Sequence, residues 1–299
     1  MSTIKKKLLI VVGPTSSGKS ALAISLARRF GGEVVSADSR QVYRCLDIAT
    51  GKVTKREMSG IRHHLLDVAD PRRLFSVAQY KRLADKAIAD IHNRGMLPIL
   101  CGGTGYYIQA VVDDVTPPAV SPDLKLRLEL EHLSPAALFE RLRALDQKRA
   151  LSIDRQNPRR LIRAIEIAST LGAVPKIKRE TSCDALMLGL ALPKEELRER
   201  IRARLISRLR HGMVAEARRL HGDGLTYRRM EELGLECRYL ARHLEGALTR
   251  EELEQVLGQK IWQYARRQMT WLRRDPRIHW FPPEDSVSIN IRVNEWLSQ

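Results

Sequence analysis

Short apolar runs alternate with helical periodicity along the first hundred residues. The run Leu8–Val12 is continuous and rich in β-branched residues, which is typical of a strand buried on both faces of a parallel sheet. Glu33–Ser36 and Leu97–Cys101 are two further strand candidates. Between them, Ala21–Phe30 and Val77–Asn93 carry apolar residues at helical spacing. Strands that alternate with helices predict an α/β fold in which helices flank a parallel sheet.

The alternation stops in the middle of the chain. Between residues 113 and 182 the pattern predicts helices and no convincing strand. The three helix candidates there are Leu124–Leu133, Pro135–Leu145 and Asn157–Leu171. A strand candidate at Ala185–Leu192 then resumes the α/β pattern, and Ile278–Phe281 is a possible last strand after further helices. We therefore predict an α/β core formed by residues 1–112 and 183–299, with an inserted all-helical subdomain at 113–182.

The chain carries a large excess of basic residues. Lysine and arginine together number 52, against 35 aspartate and glutamate residues, so the formal net charge is +17. The basic residues are spread along the chain rather than gathered in a tail, which places the charge on a folded surface. A polyanionic partner is the first explanation of such a surface. The alternative is a solvated basic surface without a partner.

Cysteine usage and the amino terminus indicate a reducing compartment. The four cysteines are far apart, with no C-x-x-C pair, and the histidines are not clustered, so we expect neither a zinc site nor a disulfide framework. The apolar run after the basic residues 1–7 is too short for a secretory signal or a membrane span. We expect a cytoplasmic protein without membrane association. Nothing in the sequence requires an oligomer, so a monomer is the simplest expectation.

A glycine-rich segment follows the first strand candidate. Residues 13–20 read GPTSSGKS and match the phosphate-loop pattern G-x-x-x-x-G-K-[ST] in full. The glycines let the backbone aim successive amide N–H groups at anionic oxygens, and the following helix adds its positive N-terminal end. Lys19 suits charge neutralisation and the Ser20 hydroxyl suits a Mg²⁺ ligand, whereas a glycine turn without a ligand would need neither. We predict that this loop binds a diphosphate, through Gly13, Pro14, Thr15, Ser16, Ser17, Gly18, Lys19 and Ser20.

Nucleotide-hydrolysing enzymes with a phosphate loop usually hold their metal ion with an acidic residue at the end of an apolar strand. Leu97–Cys101 runs into Gly102-Gly103-Thr104-Gly105, which contains no acidic residue. Asp38 instead follows the second strand, so we expect it at the carboxyl edge of the sheet, where ligands of open α/β folds bind. Thr104 ends another strand at the same edge and can donate a hydrogen bond to a phosphate oxygen. The alternative for Asp38 is a structural role as a helix cap or a turn residue.

Six motifs together resemble one known family. They occur in family order over nearly the whole chain: GPTSSGKS at 13–20, SADSRQVY at 36–43, HHLLDVADP at 63–71, GGTGYY at 102–107, NPRRLIRAIEI at 157–167 and RRQMTWLRR at 266–274. On these motifs the chain resembles the tRNA dimethylallyltransferase (tRNA isopentenyltransferase) family. The ordered set is far more specific than the phosphate loop alone.

The resemblance implies a P-loop-type core with a helical insertion, and a reaction that uses Mg²⁺. In that reaction a dimethylallyl group passes from dimethylallyl diphosphate to N6 of the adenine 3′ of the anticodon in tRNA. Asp38 matches the family's general base, which would accept a proton from the poorly nucleophilic exocyclic amine. Lys19, Ser20 with Mg²⁺, and Thr104 would stabilise the departing diphosphate. The family's diphosphate-binding arginine aligns with Arg204.

Arg204 stands in a basic stripe of a helix that we predict from about Lys194 to Leu220. Arg200, Arg204 and Arg208 recur every four residues, beside a parallel stripe of apolar residues. A solvated face is the simpler explanation of such a stripe, and we prefer it for Arg200 and Arg208. For Arg204 the diphosphate role comes from the resemblance.

Two segments match the family's RNA-binding positions. Around the second strand's end the matching residues are Asp38, Ser39, Arg40 and Gln41, to which Thr104 is added. Their side chains suit hydrogen bonds to base edges, stacking on an unstacked base, or pairing with phosphate. In the insertion the matching residues are Lys125, Arg159, Arg160, Leu161, Ile162 and Arg163. The alternative for these arginines is a surface helix without a partner.

Two carboxyl-terminal segments are not assigned to RNA. Leu233–Arg238 departs from the family pattern. Ile261–Arg274 interleaves aromatic with basic residues, but the helical spacing of Ile261, Ala265, Met269 and Leu272 favours a core-packing helix with a basic outer face.

Two rival functions share some of these features. A P-loop kinase would explain the loop and the α/β core, but not the net basic charge, the helical insertion or the absence of an acidic strand end. A non-catalytic RNA-binding ATPase would explain the charge, but it leaves the placement of Asp38 without a purpose.

Overall fold

The computed structural model describes residues 6–115, 118, 120–175 and 183–299. These described residues divide into two compact units. One unit lies within Met1–Asp114 and Glu180–Gln299, and the other lies within Val115–Arg179. Every strand that the structure describes belongs to the first, larger unit, and the second is helical.

A parallel sheet of six strands forms the centre of the larger unit in the described part of the chain. The strands pair in the order β3-β2-β4-β1-β5-β6, and their bounds are β1 Lys7–Val12, β2 Gly32–Ser36, β3 His63–His64, β4 Leu97–Gly102, β5 Asp184–Leu190 and β6 Ile278–Phe281. Each neighbouring pair is parallel. Leu9, Ile10 and Val11 of the inner strand β1 are fully buried, as its continuous apolar run predicts. The predicted α/β class with a parallel sheet is confirmed.

Helices cover both faces of the sheet. Numbered along the chain, the helices of the described residues are α1 Lys19–Phe30, α2 Lys55–Met58, α3 Val77–Asn93, α4 Gly105–Val112, α5 Leu124–Glu131, α6 Pro135–Leu145, α7 Gln147–Ser152, α8 Pro158–Leu171, α9 Lys194–Arg210, α10 Met213–Gly222, α11 Tyr227–Leu233, α12 Leu235–Leu244, α13 Arg250–Leu272 and α14 Ser286–Leu297. Alternate residues of β1 belong to two apolar clusters. Leu9 and Val11 pack with residues of α1 and α14, whereas Leu8, Ile10 and Val12 belong to the cluster that contains α3, α9 and α13.

The smaller unit consists of α5 to α8 around its own apolar core. Leu138 and Leu161 are fully buried in that core. Its longest helix, α8, begins where the Asn157 side chain accepts a hydrogen bond from the Arg160 N–H and Pro158 occupies the first turn. The sequence did not predict α7, because six residues are too few to show a helical period.

The long helix α13 confirms the prediction of a core-packing helix near the carboxyl terminus. Ile261, Ala265 and Leu272 are buried, as their spacing predicts. The buried stripe passes through Gln268, however, and not through the predicted Met269. Although α13 has 23 residues, neither it nor any other helix in the described ranges has the length and apolarity needed to cross a membrane.

Candidate active site at the carboxyl edge of the sheet

Three loops meet where β2, β4 and β1 end. These strands are adjacent and parallel, so their carboxyl ends are neighbours. Residues 13–18 follow β1, residues 37–41 follow β2, and residues 103–104 join β4 to α4. The shared edge therefore brings Asp38 and Thr104 to the phosphate loop, as the sequence predicts.

The phosphate loop has the backbone of an anion cradle. Ser16 has a φ of 64° and Gly18 a φ of 92°, so the chain turns twice through the left-handed region before α1 begins at Lys19. No hydrogen bond from a described side chain caps this helix start, which leaves its positive end directed at the loop. Lys19 Nζ donates to Pro14 O at 3.2 Å and thus folds back over the loop. This geometry fits a diphosphate held by amides and one cation.

Two amides of the loop are already engaged within the protein. The Thr15 N–H donates to Oε1 of Gln268, on α13, at 2.9 Å. The Ser17 N–H donates to Pro14 O at 3.3 Å, and the buried Ser17 hydroxyl has no partner among the described residues. The amides left for an anion are those of Ser16, Gly18, Lys19 and Ser20. The N–H groups of Thr15 and Ser17 therefore hold the loop in its conformation, and in this structure they are not available to an anion.

Lys19 lies among the other charged residues of the site. Burial lowers the pKa of its ammonium, and the neighbouring Cys101 and Asp38 raise that pKa. Arg204 lowers it further by like-charge repulsion, and Arg204 also interacts with Asp38. Two cations and one carboxylate therefore share this edge, so an anion in the cradle meets net positive charge.

Asp38 has one carboxylate oxygen engaged and one open. Its Oδ1 accepts hydrogen bonds from the N–H groups of Arg40 at 2.8 Å and Gln41 at 3.4 Å, which closes a local turn. Its Oδ2 accepts no hydrogen bond from the described residues. The turn role that the sequence left open is therefore present. It is compatible with a base role, because it orients the second oxygen without occupying it.

Thr104 ties the end of β4 to the Asp38 turn. Its Oγ1 accepts a hydrogen bond from the Ser39 N–H at 3.0 Å and lies 3.3 Å from the Ser39 hydroxyl. Its own N–H donates to Ala37 O at 3.2 Å. The loop after β4 and the turn after β2 therefore hold each other in position at the edge of the phosphate loop.

Two arginines of α9 reach this site. Arg204 Nη2 donates to Gly51 O at 2.8 Å, and a Cβ at Gly51, whose φ is 58°, would lie only 2.8 Å from that nitrogen. Arg200 Nη1 lies 4.0 Å from the place that a Cβ at Gly18 would take. Arg200 also pairs with Glu196 at 2.7 Å on its own helix. Its guanidinium therefore lies beside the phosphate loop. The prediction of a solvated face for Arg200 did not anticipate this position.

Arg208 is not a solvated residue, and that prediction is wrong. Its Nε donates to Ile48 O at 2.8 Å and its Nη2 donates to Ala49 O, so the side chain is only 13% exposed. The buried Glu216 carboxylate holds the same segment through the N–H groups of Asp47, Ile48 and Ala49, at 2.8 to 2.9 Å. The helical spacing of α9 contains no sign of these partners, because they lie about 160 residues earlier in the chain.

Comparison with known proteins assigns the chain to a family. The family model described as IPP transferase matches residues 41–275. The chain belongs to the IPP transferase family. Among its relatives in this family, the tRNA dimethylallyltransferase of Anoxybacillus flavithermus is 39% identical over 98% of this chain and 95% of that protein. The tRNA dimethylallyltransferase 1 of Geotalea daltonii is 42% identical over 91% of this chain and 90% of that protein.

Solved structures of similar proteins have the same fold as this IPP transferase. The tRNA isopentenylpyrophosphate transferase of Bacillus halodurans aligns with a TM-score of 0.74 at 34% identity, over 98% of this chain and 96% of that one. A eukaryotic dimethylallyltransferase, described as acting on tRNA, aligns with a TM-score of 0.83 at 27% identity, over 98% of this chain and 80% of that one. The predicted P-loop-type fold is confirmed.

The side chains at this site of the IPP transferase fit the predicted Mg²⁺ only if phosphate oxygens of a substrate supply further ligands. Ser20 is exposed at the start of α1, and its side chain also forms a hydrogen bond with the Cys101 thiol. Within the described ranges, no three acidic, histidine or cysteine side chains gather into a metal-binding cluster. Mg²⁺ keeps several waters and is commonly held by one or two protein groups together with substrate phosphates. One hydroxyl beside a bound diphosphate therefore fits this ion.

The turn after β2 presents polar side chains around Asp38. Arg40 lies against Gly234, where a Cβ would come within 2.7 Å of Arg40 Nε. Tyr264, on α13, interacts electrostatically with both Asp38 and Arg40. The segment Leu233–Arg238, left unassigned from the sequence, thus contributes to the surroundings of a predicted RNA-binding residue.

The predicted RNA-binding residues of the insertion fall into two groups. Lys125, Arg159 and Arg160 are exposed on α5 and α8, and Arg160 lies within 3.9 Å of the Asp154 carboxylate. Leu161 and Ile162 are buried in the core of the smaller unit. Their side chains are therefore not available to RNA, and a contact of these two residues with RNA stays a prediction that only their backbone could fulfil.

Arg163 belongs to a buried ion-pair network. Its guanidinium donates to Val120 O at 2.8 Å and to the buried Glu166 carboxylate at 3.0 Å. Arg127 pairs with the same carboxylate at 2.6 Å. Glu166 also accepts a hydrogen bond from the Asp123 N–H at 3.0 Å. Arg163 therefore stabilises the unit on which Arg159 and Arg160 stand, and its side chain remains about one third exposed.

Proposed function

We propose that this IPP transferase is a tRNA dimethylallyltransferase. It transfers the dimethylallyl group from dimethylallyl diphosphate to N6 of the adenine 3′-adjacent to the anticodon in tRNA, and it releases diphosphate. The observation that carries the proposal is the position of Asp38, whose carboxylate stands with one open oxygen beside the cation of the phosphate loop. A nucleotide hydrolase would instead need an acidic residue at the end of β4, where this chain has Gly102-Gly103-Thr104.

The cradle and its cations bind the leaving group. Amides of the phosphate loop, with Lys19 and Arg204, surround the diphosphate and stabilise the negative charge that develops as it departs. The Thr104 hydroxyl turns its proton to a phosphate oxygen. The Ser20 hydroxyl would hold Mg²⁺ beside the diphosphate, where the ion would supply further positive charge.

The adenine amine is the nucleophile. A bond forms between N6 and C1 of the dimethylallyl group as the C1–O bond breaks, and the electron pair of that bond leaves with the diphosphate. Since the N6 lone pair is delocalised into the ring, the amine gains nucleophilicity only as its proton departs. Asp38 Oδ2 accepts this proton, because Oδ1 is held by the turn.

The basic surface brings the RNA to this site. A net charge of +17 favours a polyanion, and the exposed Lys125, Arg159 and Arg160 suit phosphate contacts. Ser39, Arg40 and Gln41 directly follow Asp38 in the chain. At this position their side chains suit contacts with an adenine that is turned out of its stack. The protein would act as a cytoplasmic monomer.

A transfer assay tests the proposal. Purified protein, Mg²⁺, labelled dimethylallyl diphosphate and unmodified tRNA with adenine 3′ of the anticodon are expected to give labelled RNA. The control is the same tRNA with guanine at that position, which lacks the N6 amine and is expected to stay unlabelled.

The rival functions predict different results in the same assay. A P-loop kinase would consume ATP in proportion to a phosphorylated small acceptor, without label in RNA. A non-catalytic RNA-binding ATPase would bind tRNA and hydrolyse ATP. Absence of labelled RNA together with stoichiometric ATP hydrolysis would contradict the dimethylallyltransferase assignment.

A further inference from the structure

A buried glutamine connects two loops of the candidate active site. Gln268 lies on the apolar stripe of α13 and is 8% exposed. Its Oε1 accepts a hydrogen bond from the Thr15 N–H at 2.9 Å, and its Nε2 donates to Gly103 O at 2.9 Å. A buried amide is costly unless its groups are bonded, and here each end finds a partner.

The chemistry of the partners determines how the Gln268 amide is oriented. The Thr15 N–H is a donor and requires an oxygen, whereas Gly103 O is an acceptor and requires an N–H. Only a side chain that offers an acceptor and a donor at its two ends satisfies both loops. A methionine of similar size would satisfy neither loop, and an ionised glutamate would satisfy only one.

The glycines of the β4 loop match this packing. A Cβ at Gly103 would lie 2.3 Å from Gln268 Nε2 and 3.1 Å from Gly13 O. A Cβ at Gly105 would lie 2.1 Å from the ring of Trp271, one turn further along α13. The loop around Thr104 therefore lies directly against α13, and the absence of side chains at its glycines allows this approach.

We propose that Gln268 is a positioning residue that sets the separation between the phosphate loop and the Thr104 loop. Its amide joins Thr15 to Gly103, and Thr104 in turn holds the Asp38 turn through the Ser39 N–H. The diphosphate cradle, the hydroxyl donor and the base are thus connected through these three hydrogen bonds and the peptide bonds between neighbouring residues. The proposal rests on the proposed function, since it concerns the alignment of the leaving group with the base.

Two substitutions test the two hydrogen bonds. Gln268→Met removes both of them, and we expect kcat at saturating substrates to fall by about 100-fold, as small misplacements of reacting groups commonly do. In Gln268→Glu the protonated carboxyl keeps both bonds, whereas the ionised form loses the donor to Gly103. Burial favours the protonated form of such a carboxyl, so the ratio of variant to wild-type kcat is expected to rise as the pH falls from 8 to 5.5.

The controls separate positioning from folding. Gln263→Met and Gln263→Glu change an exposed glutamine of the same helix and are expected to keep wild-type kcat at every pH. A purely structural role of Gln268 would lower the thermal midpoint and leave the kcat of folded protein unchanged, so thermal unfolding and kcat are measured on the same samples. Calorimetric binding of inorganic diphosphate gives a second readout. We expect Gln268→Met to bind it about tenfold more weakly, the equivalent of one hydrogen bond.

The outcomes distinguish this proposal from the proposed function. If Gln268→Met keeps kcat and diphosphate affinity within threefold of wild type, Gln268 does not position the loops. If Gln268→Glu keeps wild-type kcat over the whole range from pH 5.5 to 8, the donor to Gly103 has no role in positioning. If the wild type transfers no label, the proposed function fails, and the diphosphate affinities of the variants still decide whether Gln268 positions the phosphate loop.

Discussion

Side chains at the sheet edge are held by backbone groups that leave their reactive atoms open. Among the described residues, the turn of Arg40 and Gln41 binds Asp38 through Oδ1, and the Gly51 carbonyl holds Arg204. The residue types themselves were readable from the sequence, because a carboxylate after a strand and a lysine in a glycine-rich loop are local signals. The turn around Asp38 is also local, whereas the partner of Arg204 was not readable, because Gly51 lies 153 residues earlier in the chain.

Asp38 offers a test that separates its two roles. Asp38→Asn keeps an oxygen that accepts from the Arg40 N–H but loses the base, so we expect kcat to fall by about 10²- to 10⁴-fold while tRNA and diphosphate binding are kept. Asp38→Ala removes the turn as well and is expected to lose most transfer, with tRNA binding largely intact. Steady-state transfer and binding titrations measure these effects. Full activity of Asp38→Asn would contradict the base role.

At the scale of elements, β2 is anchored at its amino end by a buried ion-pair cluster. Glu33 accepts hydrogen bonds from Arg94 at 2.5 and 2.6 Å and lies 2.6 Å from His64 Nε2. The hydrogen bond from Arg94 lowers the pKa of Glu33 to about 2. The cluster joins β2, β3 and the end of α3, and so it supports the strand whose other end carries Asp38.

This cluster predicts how the free energy of unfolding depends on pH. Since the folded pKa of Glu33 lies below its ordinary value of 4.5, the ionised carboxylate stabilises the fold above pH 4.5, and this contribution is lost as the pH falls toward 2. Glu33→Gln is expected to lower the free energy of unfolding by about 1 to 3 kcal/mol at pH 7, and by less at pH 3. Urea unfolding at both pH values measures this, with the exposed Glu284→Gln as the matched control. An equal loss at pH 3 and pH 7 would contradict the assignment.

In helix α13 the buried stripe that apolar spacing predicts differs at one position from the stripe that is observed. Apolar spacing predicted Met269 in the buried stripe, yet Gln268 lies there. Periodicity ranks side chains by apolarity alone, whereas two backbone groups of distant loops make an amide the better occupant of this position. A glutamine at the edge of an apolar stripe was the available signal, and on its own it does not name a partner.

At the scale of the whole molecule, the spread of basic residues predicts electrostatically driven RNA binding. The logarithm of the tRNA association constant is expected to fall linearly with the logarithm of salt concentration. Arg159→Gln and Arg160→Gln, each measured singly, should reduce that slope by about 0.7 to 0.9, one phosphate contact each. The exposed Arg141→Gln on α6 is the matched control and should leave the slope unchanged. Filter binding from 50 to 300 mM salt measures it, and identical slopes for all variants would remove these arginines from the interface.

The sequence by itself determined the α/β alternation, the phosphate loop and the order of motifs that marks the family, because each depends on neighbours within a few residues. Only the tertiary structure decided how these parts are joined. It placed Arg208 and Glu216 on the segment around Ile48, and it placed Gln268 between the phosphate loop and the Thr104 loop. Such contacts satisfy buried polar groups, and the position of their partners depends on how the whole chain folds.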